Sequence, residues 1–332
     1  MQLGLLGALL SSSDVLWPIV LAAAVWLLDM LFPDPAALPH PVQAIGRLLN
    51  AVETTLRRAV FAKSRKGLRF AGGIGAFFCL AIAGFIVCFL TSLPLIGVPI
   101  AAYLAWAGLA LGGLRKAGKS ALFSIAYGSI DEARAAVSFL VSRDTKAMER
   151  DELRRSLAET LAENFNDGFV APFFWLILAG PVGLWIYKAV STMDSMWGYK
   201  TPRWLDFGCA AARLDDALAF IPARLSALFL CIGGRFTKGC TSGLSWNLLA
   251  KDADRTVSPN AGWPMAACAW LCSARMGGPT PYHGTLIDKP LLGPAGAWSN
   301  ERIQLLLRLL GAGGAACAVI LSFTAWLLLI IF

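Results

Sequence analysis

Charge is scarce in this sequence. Only 15% of its 332 residues are Asp, Glu, Lys or Arg, where a soluble domain carries about 25%. That balance argues against an ordinary cytosolic enzyme and against a disordered chain. Histidine is almost missing, with His40 and His283 the two present. The eight cysteines include no C-x-x-C pair, and Cys79, Cys88, Cys231 and Cys317 stand singly in apolar runs. A disulfide scaffold is thereby excluded and a Cys/His zinc site disfavoured. Such cysteines read as small buried hydrophobes. No stretch alternates apolar and polar residues at length, and there is no internal repeat or low-complexity tract. What the chain has instead is apolar residues, 57% of the total, with a mean hydropathy of +0.62. The pattern predicts an all-α, polytopic integral membrane protein.

Four apolar runs, 15–32, 71–90, 95–114 and 309–332, read as plain spans. No Lys or Arg precedes the first and no A-x-A site follows it, so it is expected to remain as a span rather than a cleaved signal. The net charge of +8 is concentrated beside these runs. Between 47 and 69, Arg47, Arg57, Arg58, Lys63, Arg65, Lys66 and Arg69 face a single acid, Glu53. Arg115, Lys116 and Lys119 follow the third run, and Arg302 and Arg308 precede the last. The positive-inside rule puts these loops in the cytoplasm, with both termini outside. Lipid headgroups account for the basic block. Nucleic acid is not an expected partner, because no aromatic-interleaved basic motif accompanies the charge. The organisation expected is one membrane-integrated domain over 1–332. It has three spans in 15–114 around a basic cytoplasmic loop at 47–69, a motif-bearing region at 115–300 and a C-terminal span at 309–332.

Two further runs are broken. Pro172, Gly180 and Pro181 interrupt 169–187, and Pro222 and Arg224 interrupt 217–234. They cross as a pair, re-enter or lie in the interface, and each choice keeps the parity. Between the runs, 115–168 carries charges of both signs and reads as a cytoplasmic helical insert. Ser129-x-x-Glu132 is a capping box opening a helix over about 130–142. Asp144 is placed to cap a second, over about 145–165.

Glu159, Glu163 and Asp167 are four residues apart, so a continuing helix aligns all three on one face. Like charges at that spacing destabilise a helix, so the stripe needs water, an Arg partner such as Arg154 or Arg155, or a divalent cation. Mg²⁺ usually takes one or two carboxylates and completes its shell with phosphate and water. Asn164, Asn166, Asp167 and Gly168 are expected to end the helix directly before an apolar run, where polar groups tend to be functional. Thr192, Asp194 and Ser195, and Arg213 with Asp215 and Asp216, sit in similar surroundings, with ion pairing across helices as the plain alternative. The segments 258–264 and 277–284 read as turns, the second holding His283.

Residues 113–120, GLRKAGKS, formally match G-x-x-x-x-G-K-[ST]. A phosphate loop follows a β-strand and opens a helix, whereas this match follows an apolar helical run. It is expected to be a cationic helix end.

The motifs DMLFPDPAALPHPVQAIGRLL, VSRDT, ETLAENFNDGFVAPFFW, STMDSMWGYKTPRWLDFGCAAARLDD, IPAR, SPNAGWPMAA and GGPTPYHG occur in that order. Together, over about 25–295, they resemble the adenosylcobinamide-phosphate synthase family of cobalamin biosynthesis (CobD/CbiB). The resemblance implies an inner-membrane ligase with its motifs facing the cytoplasm. Such an enzyme joins aminopropanol, or its O-phosphate, to a propionate of adenosylcobyric acid. Two positions depart from the family pattern, Ser191 where Asn is usual and Met265 where Glu is usual.

A carboxylate does not condense with an amine at neutral pH unaided, so ATP and Mg²⁺ are the expected cofactors, acting through an acyl phosphate that the amine attacks. For that chemistry the candidate catalytic residues are Glu159, Glu163, Asp167, Asp194, Asp215 and Asp216, with Mg²⁺ on Glu163 and Asp167. The candidate substrate-binding residues are His40, Arg47, Arg143, Asp144, Asn164, Ser195, Arg213, Arg224, Asn260 and Tyr282. Arg143, Arg213 and Arg224 are suited to clamp phosphate. Other corrinoid enzymes are a further partner class. The rival readings are a transporter of a corrinoid or another solute, favoured by broken apolar segments, and a scaffold for corrinoid enzymes.

Overall fold

The computed structural model describes residues 17–33, 40–59, 64–282 and 285–331, and of Trp17, Pro18, Pro281, Tyr282, Thr285 and Leu286 the backbone alone. His283, residues 34–39, the start of the 15–32 run, Lys63 of the basic block and the Tyr282 side chain lie outside the described residues. The helices are α1 (Trp17–Leu31), α2 (Pro41–Arg58), α3 (Arg65–Ser92), α4 (Gly97–Ala107), α5 (Leu111–Tyr127), α6 (Ile130–Ser138) and α7 (Arg150–Phe165). A π turn (Asn166–Val170) follows, then α8 (Ala171–Trp197), α9 (Cys209–Leu218), α10 (Phe220–Arg235), α11 (Trp246–Ala253) and α12 (Gly262–Leu271). A hairpin, β1 (Met276–Tyr282) and β2 (Thr285–Leu292), precedes α13 (Asn300–Ile331). The protein is an all-α polytopic membrane protein. Five helical segments are long and apolar enough to cross a bilayer, namely Arg65–Ser92, Gly97–Tyr127, Arg150–Trp197, Cys209–Arg235 and Asn300–Ile331, with Ile19–Leu31 a shorter apolar helix. Both broken runs of the sequence fall within these five.

The chain forms two compact units, one of residues 1–109, 171–219 and 321–332, the other of 110–170 and 220–320. In the first, α2, α3, α8 and α9 share a core of Leu49, Ala71, Ala76, Cys79, Met193, Trp197, Phe207 and Ala211. Gly72 lets the backbone of Phe207 touch α3, since a Cβ there would stand 1.8 Å from the Phe207 carbonyl oxygen. α8 is broken at Ala179 and Gly180, where Gly180 adopts φ 65°, ψ −163° ahead of Pro181. That conformation is open essentially to glycine alone. The predicted 95–114 run is likewise two helices, α4 stopping at Gly108, where Leu184 packs so closely that a Cβ would meet its Cδ2 at 2.2 Å.

The basic block is not an irregular loop. Most of it rides on α2, whose polar face it occupies, and on the first turns of α3. Glu53 accepts from Arg57 Nε at 2.6 Å and from Arg203 Nη2 at 3.0 Å. Asp206 receives Arg65 Nε at 3.0 Å and Arg69 Nε at 2.8 Å. The Arg57 guanidinium lies 4.9 Å from the Trp204 ring centre and 4.6 Å from that of Phe207. The Arg203–Gly208 segment is thus clasped by cations from two helices. The hydrogen bond from Arg65, followed by that from Arg69, holds the Asp206 carboxyl below the ordinary carboxylate range.

In the second unit α7 buries Leu153, Leu157 and Leu161, one turn apart. Gly233 of α10 and Gly313 of α13 bring two backbones together, a Cβ at 233 standing 2.5 Å from Gly313 N. Several expectations are corrected here. The capping box of Ser129 and Glu132 is present, but α6 ends at Ser138. The second helix opens at Arg150 rather than near 145, with Glu149 at its N-cap, where the Glu149 N–H donates to Glu152 Oε2 at 3.0 Å. Asp144 does not cap it, because its Oδ1 is spent on the Lys146 N–H two residues on, a local turn. The helix does not end at 164–168 either. The chain passes through the π turn, where the Gly168 carbonyl accepts the Ala110 N–H at 2.9 Å, and continues as α8. The segment 277–284 is strand where it is described, with Gly278 opposite Lys289 and Thr280 opposite Ile287. GLRKAGKS lies wholly inside α5, so its backbone N–H groups are consumed by the helix and form no phosphate loop.

Candidate functional site

The second unit gathers most of the polar residues singled out in the sequence. α7 carries them as a ladder. At its buried rung Arg143, from the segment before α7, donates through Nη1 to Glu159 Oε2 at 2.7 Å and to Ser156 Oγ at 3.2 Å. The other Glu159 oxygen accepts the Gly277 N–H of β1 at 2.8 Å. Glu159 is fully buried with both oxygens engaged. Gly277 reaches it because its φ of 85° and its approach to the Pro290 carbonyl admit no side chain. This rung ties the hairpin to α7.

One turn further along, Glu163 is half-buried, and the charges bearing on it are Asp167, Lys289, Arg143 and Glu159. Asn164 Nδ2 donates to the Thr160 carbonyl at 2.9 Å and to Thr160 Oγ1 at 3.1 Å, and Thr160 Oγ1 donates to the Leu140 carbonyl. Asn166 is buried inside the π turn, where its Nδ2 donates to Asp167 Oδ1 at 2.7 Å. Its own Oδ1 lies 2.8 Å from Ser226 Oγ of α10, which also reaches the Pro222 carbonyl at 2.9 Å. An extra residue in the helical ladder is what turns Asn166 toward α10, and such π turns recur at functional sites.

The same helix α10 carries Arg224. Its Nη1 donates to the Phe220 carbonyl at 2.9 Å and to Asn260 Oδ1 at 3.0 Å. Its guanidinium stacks 3.6 Å from the Phe220 ring centre and 4.9 Å from that of Trp263. Asn260 is buried and its N–H donates to Ser258 Oγ at 3.2 Å. The segment SPNAGWP therefore serves as the seat of an arginine.

This arrangement reduces the acidic stripe to two available carboxylates. Glu159 is tied into the fold, while Glu163 and Asp167 remain half-exposed near a lysine. Among the described residues no group of three or more His, Cys, Asp and Glu side chains is placed to hold a metal ion by itself. Two carboxylates do fit Mg²⁺ that shares its shell with water and phosphate.

The remaining sequence candidates belong to the first unit. His40 Nδ1 accepts the Val42 N–H at 3.2 Å and caps α2, and Arg47 is exposed on that helix. Asp194 is half-buried near the end of α8, where Gly198 leaves it room, since a Cβ at 198 would fall 2.0 Å from its Oδ1. Ser195 donates to the Ser191 carbonyl at 2.9 Å, as any serine in a helix can. Arg213 is exposed, and Asp215 and Asp216 are half-buried, with Lys200 bearing on Asp216. Sequence reasoning missed the roles of Gly277, Lys289 and Ser226. The paired glycines 277–278 were the available signal for the first.

A family model described as CobD/Cbib protein matches residues 21–310. The chain is similar to "Cobalamin biosynthesis protein CobD" of Pelobacter propionicus, 38% identical over 313 residues that cover 94% of this chain and 96% of the relative. It is 38% identical over 307 residues to the protein of the same name from Geobacter metallireducens, covering 89% and 92%. It is 34% identical over 313 residues to "Cobalamin biosynthesis protein CbiB" of Salmonella arizonae, covering 91% and 96%. No solved structure matches.

Proposed function

The chain belongs to the CobD/CbiB family, and on that premise we propose that it is the amide-forming ligase of that family. Its role in cobalamin biosynthesis is the one carried in its relatives' names. The finer reading is that it joins a propionate of adenosylcobyric acid to aminopropanol or its O-phosphate. The enzyme sits in the bacterial inner membrane with the α7 ladder on the cytoplasmic side.

The observation that carries this reading is the pair Glu163 and Asp167 at the π turn, the second held by Asn166, which Ser226 in turn holds through its Oδ1. Glu163 and Asp167 would hold Mg²⁺, which, with ATP, supplies the activation that a carboxylate needs before an amine can displace one of its oxygens. Forming the C–N bond releases a proton from the amine, and a carboxylate of the pair is suited to take it. Arg224, stacked on Phe220 and close to Trp263, offers a charged fork to a substrate carboxylate or phosphate. Arg143 and Glu159 act as positioning residues, fixing α7 against the hairpin. Apolar helices around these groups limit water, which would otherwise hydrolyse an activated carboxylate.

Protein purified in detergent, given adenosylcobyric acid, aminopropanol phosphate, ATP and Mg²⁺, should yield the amide product by mass spectrometry. Asp167→Asn should lower that yield at least 100-fold, the scale of losing a general base or metal ligand. Wild-type product from Asp167→Asn would remove this pair from the mechanism. ATP-independent uptake into vesicles with no amide formed would replace the ligase reading by transport.

A further inference from the structure

A cleft of about 340 Å³ opens at the N-terminal end of α7. Its walls include Asp151, Glu152 and Arg155 of α7, Arg275 just ahead of β1, and Leu291 and Trp298. That volume is at the small end of the range for ligand sites. Arg155 and Glu163 lie eight residues apart on α7, about 12 Å along its axis, so the cleft is distinct from the Glu163 and Asp167 pair.

Arg275 is held by its backbone and by nothing else. Its N–H donates to the Gly296 carbonyl at 2.8 Å, and its own carbonyl accepts Trp298 Nε1 at 2.9 Å. Its side chain is half-buried, and among the described residues the guanidinium makes no hydrogen bond or ion pair, with Nε buried and lacking an acceptor. Burying a charged donor without a partner is unfavourable, so such a group calls for an explanation. Arg155 Nε is also buried without an acceptor, although Nη2 of that residue donates to the Pro279 carbonyl at 3.2 Å. The nearest acid to Arg155, Glu159, stands 4.0 Å off and is already taken by Arg143 and Gly277. The acids of the cleft do not answer these arginines. Asp151 is paired with Arg154 Nη1 at 2.6 Å. Glu152 accepts the Glu149 N–H on Oε2 at 3.0 Å, which fixes its side chain in the capping box, yet among the described residues it forms no ion pair. One small cleft thus holds a glutamate and an arginine that pair neither with each other nor with another residue.

We propose that Arg275 and Glu152 form a binding site for a small zwitterion, a molecule with an ammonium at one end and a carboxylate or phosphate at the other. The Arg275 fork takes the anionic oxygens, with Arg155 as the second cation, and the Glu152 carboxylate takes the ammonium. Leu291 and Trp298 face the short carbon chain between the two charges. Two sources present that chemistry, an amino acid and the phosphate ester of an amino alcohol. The site does not depend on the ligase reading, since its test reads binding rather than amide formation.

The test is isothermal titration calorimetry on the full chain in detergent. It compares two zwitterions, serine and aminopropanol phosphate, with two half-molecules, aminopropanol and inorganic phosphate. One zwitterion should bind at least tenfold more tightly than either half. Serine in that role identifies an amino acid, and aminopropanol phosphate identifies an amino-alcohol ester. The variants are Arg275→Gln and Glu152→Gln. Both should melt with the wild type, because the Arg275 guanidinium holds nothing in the fold and Gln at 152 still completes a capping box. Each should weaken the bound zwitterion about tenfold or more, the loss of roughly one charge-assisted contact. Lys238→Gln, exposed and outside the cleft, is the control and should bind as the wild type does. Wild-type affinity in both variants overturns the proposal, as does a zwitterion that binds no better than its halves. A loss in Arg275→Gln alone overturns it in favour of a plain anion site, and an equal loss in Lys238→Gln overturns it by reducing the effect to overall charge.

Discussion

Arg143 Nη1 and Glu159 Oε2 meet at 2.7 Å with their side chains 5% and 0% exposed. A buried pair of this kind adds little net stability over a well-packed apolar pair, yet removing one partner leaves a charge in a place that cannot solvate it. Arg143→Met should therefore lower stability by about 3–5 kcal/mol, seen as a clear fall in melting temperature in detergent. Arg143→Met combined with Glu159→Leu should recover much of that loss. A single variant melting with the wild type would show that the pair is not closed in the folded protein.

Gly72 and Gly73 are neighbours on α3 with opposite tolerance. A Cβ at 72 collides with the Phe207 carbonyl, whereas a Cβ at 73 meets nothing within 4 Å. Gly72→Ala should cost several kcal/mol or prevent accumulation of folded protein, the outcome of forcing backbone apart. Gly73→Ala should be neutral or stabilising by up to about 1 kcal/mol through helix propensity. Yield and melting temperature of the two variants in parallel decide the matter.

The Asp206 clasp makes stability pH-dependent in a defined direction. Its carboxyl titrates below its unfolded value, so its contribution is complete above the ordinary aspartate pKa, about 3.9, and disappears as pH falls through the lower folded value. Melting temperature measured from pH 6 downward should drop below about pH 4, and Asp206→Asn should flatten that limb while lowering the neutral plateau. A superimposable limb in the variant would assign the acid sensitivity elsewhere.

Asn166 acts on Asp167 rather than on substrate. Asn166→Ala removes the 2.7 Å bond to Asp167 Oδ1 and one of the two acceptors of Ser226 Oγ, which keeps the Pro222 carbonyl, a change of about 1–3 kcal/mol for buried polar groups. On the proposed ligase reading, kcat should fall about tenfold with KM for the amine nearly unchanged, and raised Mg²⁺ should restore part of it. Loss of melting temperature with full kcat would confine Asn166 to folding.

The helical, membrane-bound character was legible because long apolar runs allow few alternatives, and the Ser129–Glu132 box was legible because Ser is a strong cap. The start of α7 was not, since Glu149 at the N-cap is an uncommon choice and Asp144 a common one used here for a turn. The hairpin escaped because Gly277, Gly278, Pro279 and Pro281 read as breakers, while its reason for existing, Gly277 donating to Glu159, lies 118 positions away. In the candidate site, the charge pattern singled out the helix that the structure shows as α7. It did not tell Glu159 from Glu163, because the two differ in what faces them and not in type or spacing.

The clasp of Asp206 by Arg65 and Arg69 joins residues 141 and 137 positions apart. During synthesis the basic block leaves the ribosome while its future counter-ion is still unmade, and at about 5–20 residues per second the wait is on the order of 10 s. The insertion machinery therefore meets the block with its cations unmatched by Asp206, a counter-ion that only the finished protein supplies. The charge that the block presents to its surroundings therefore differs between the emerging chain and the finished protein.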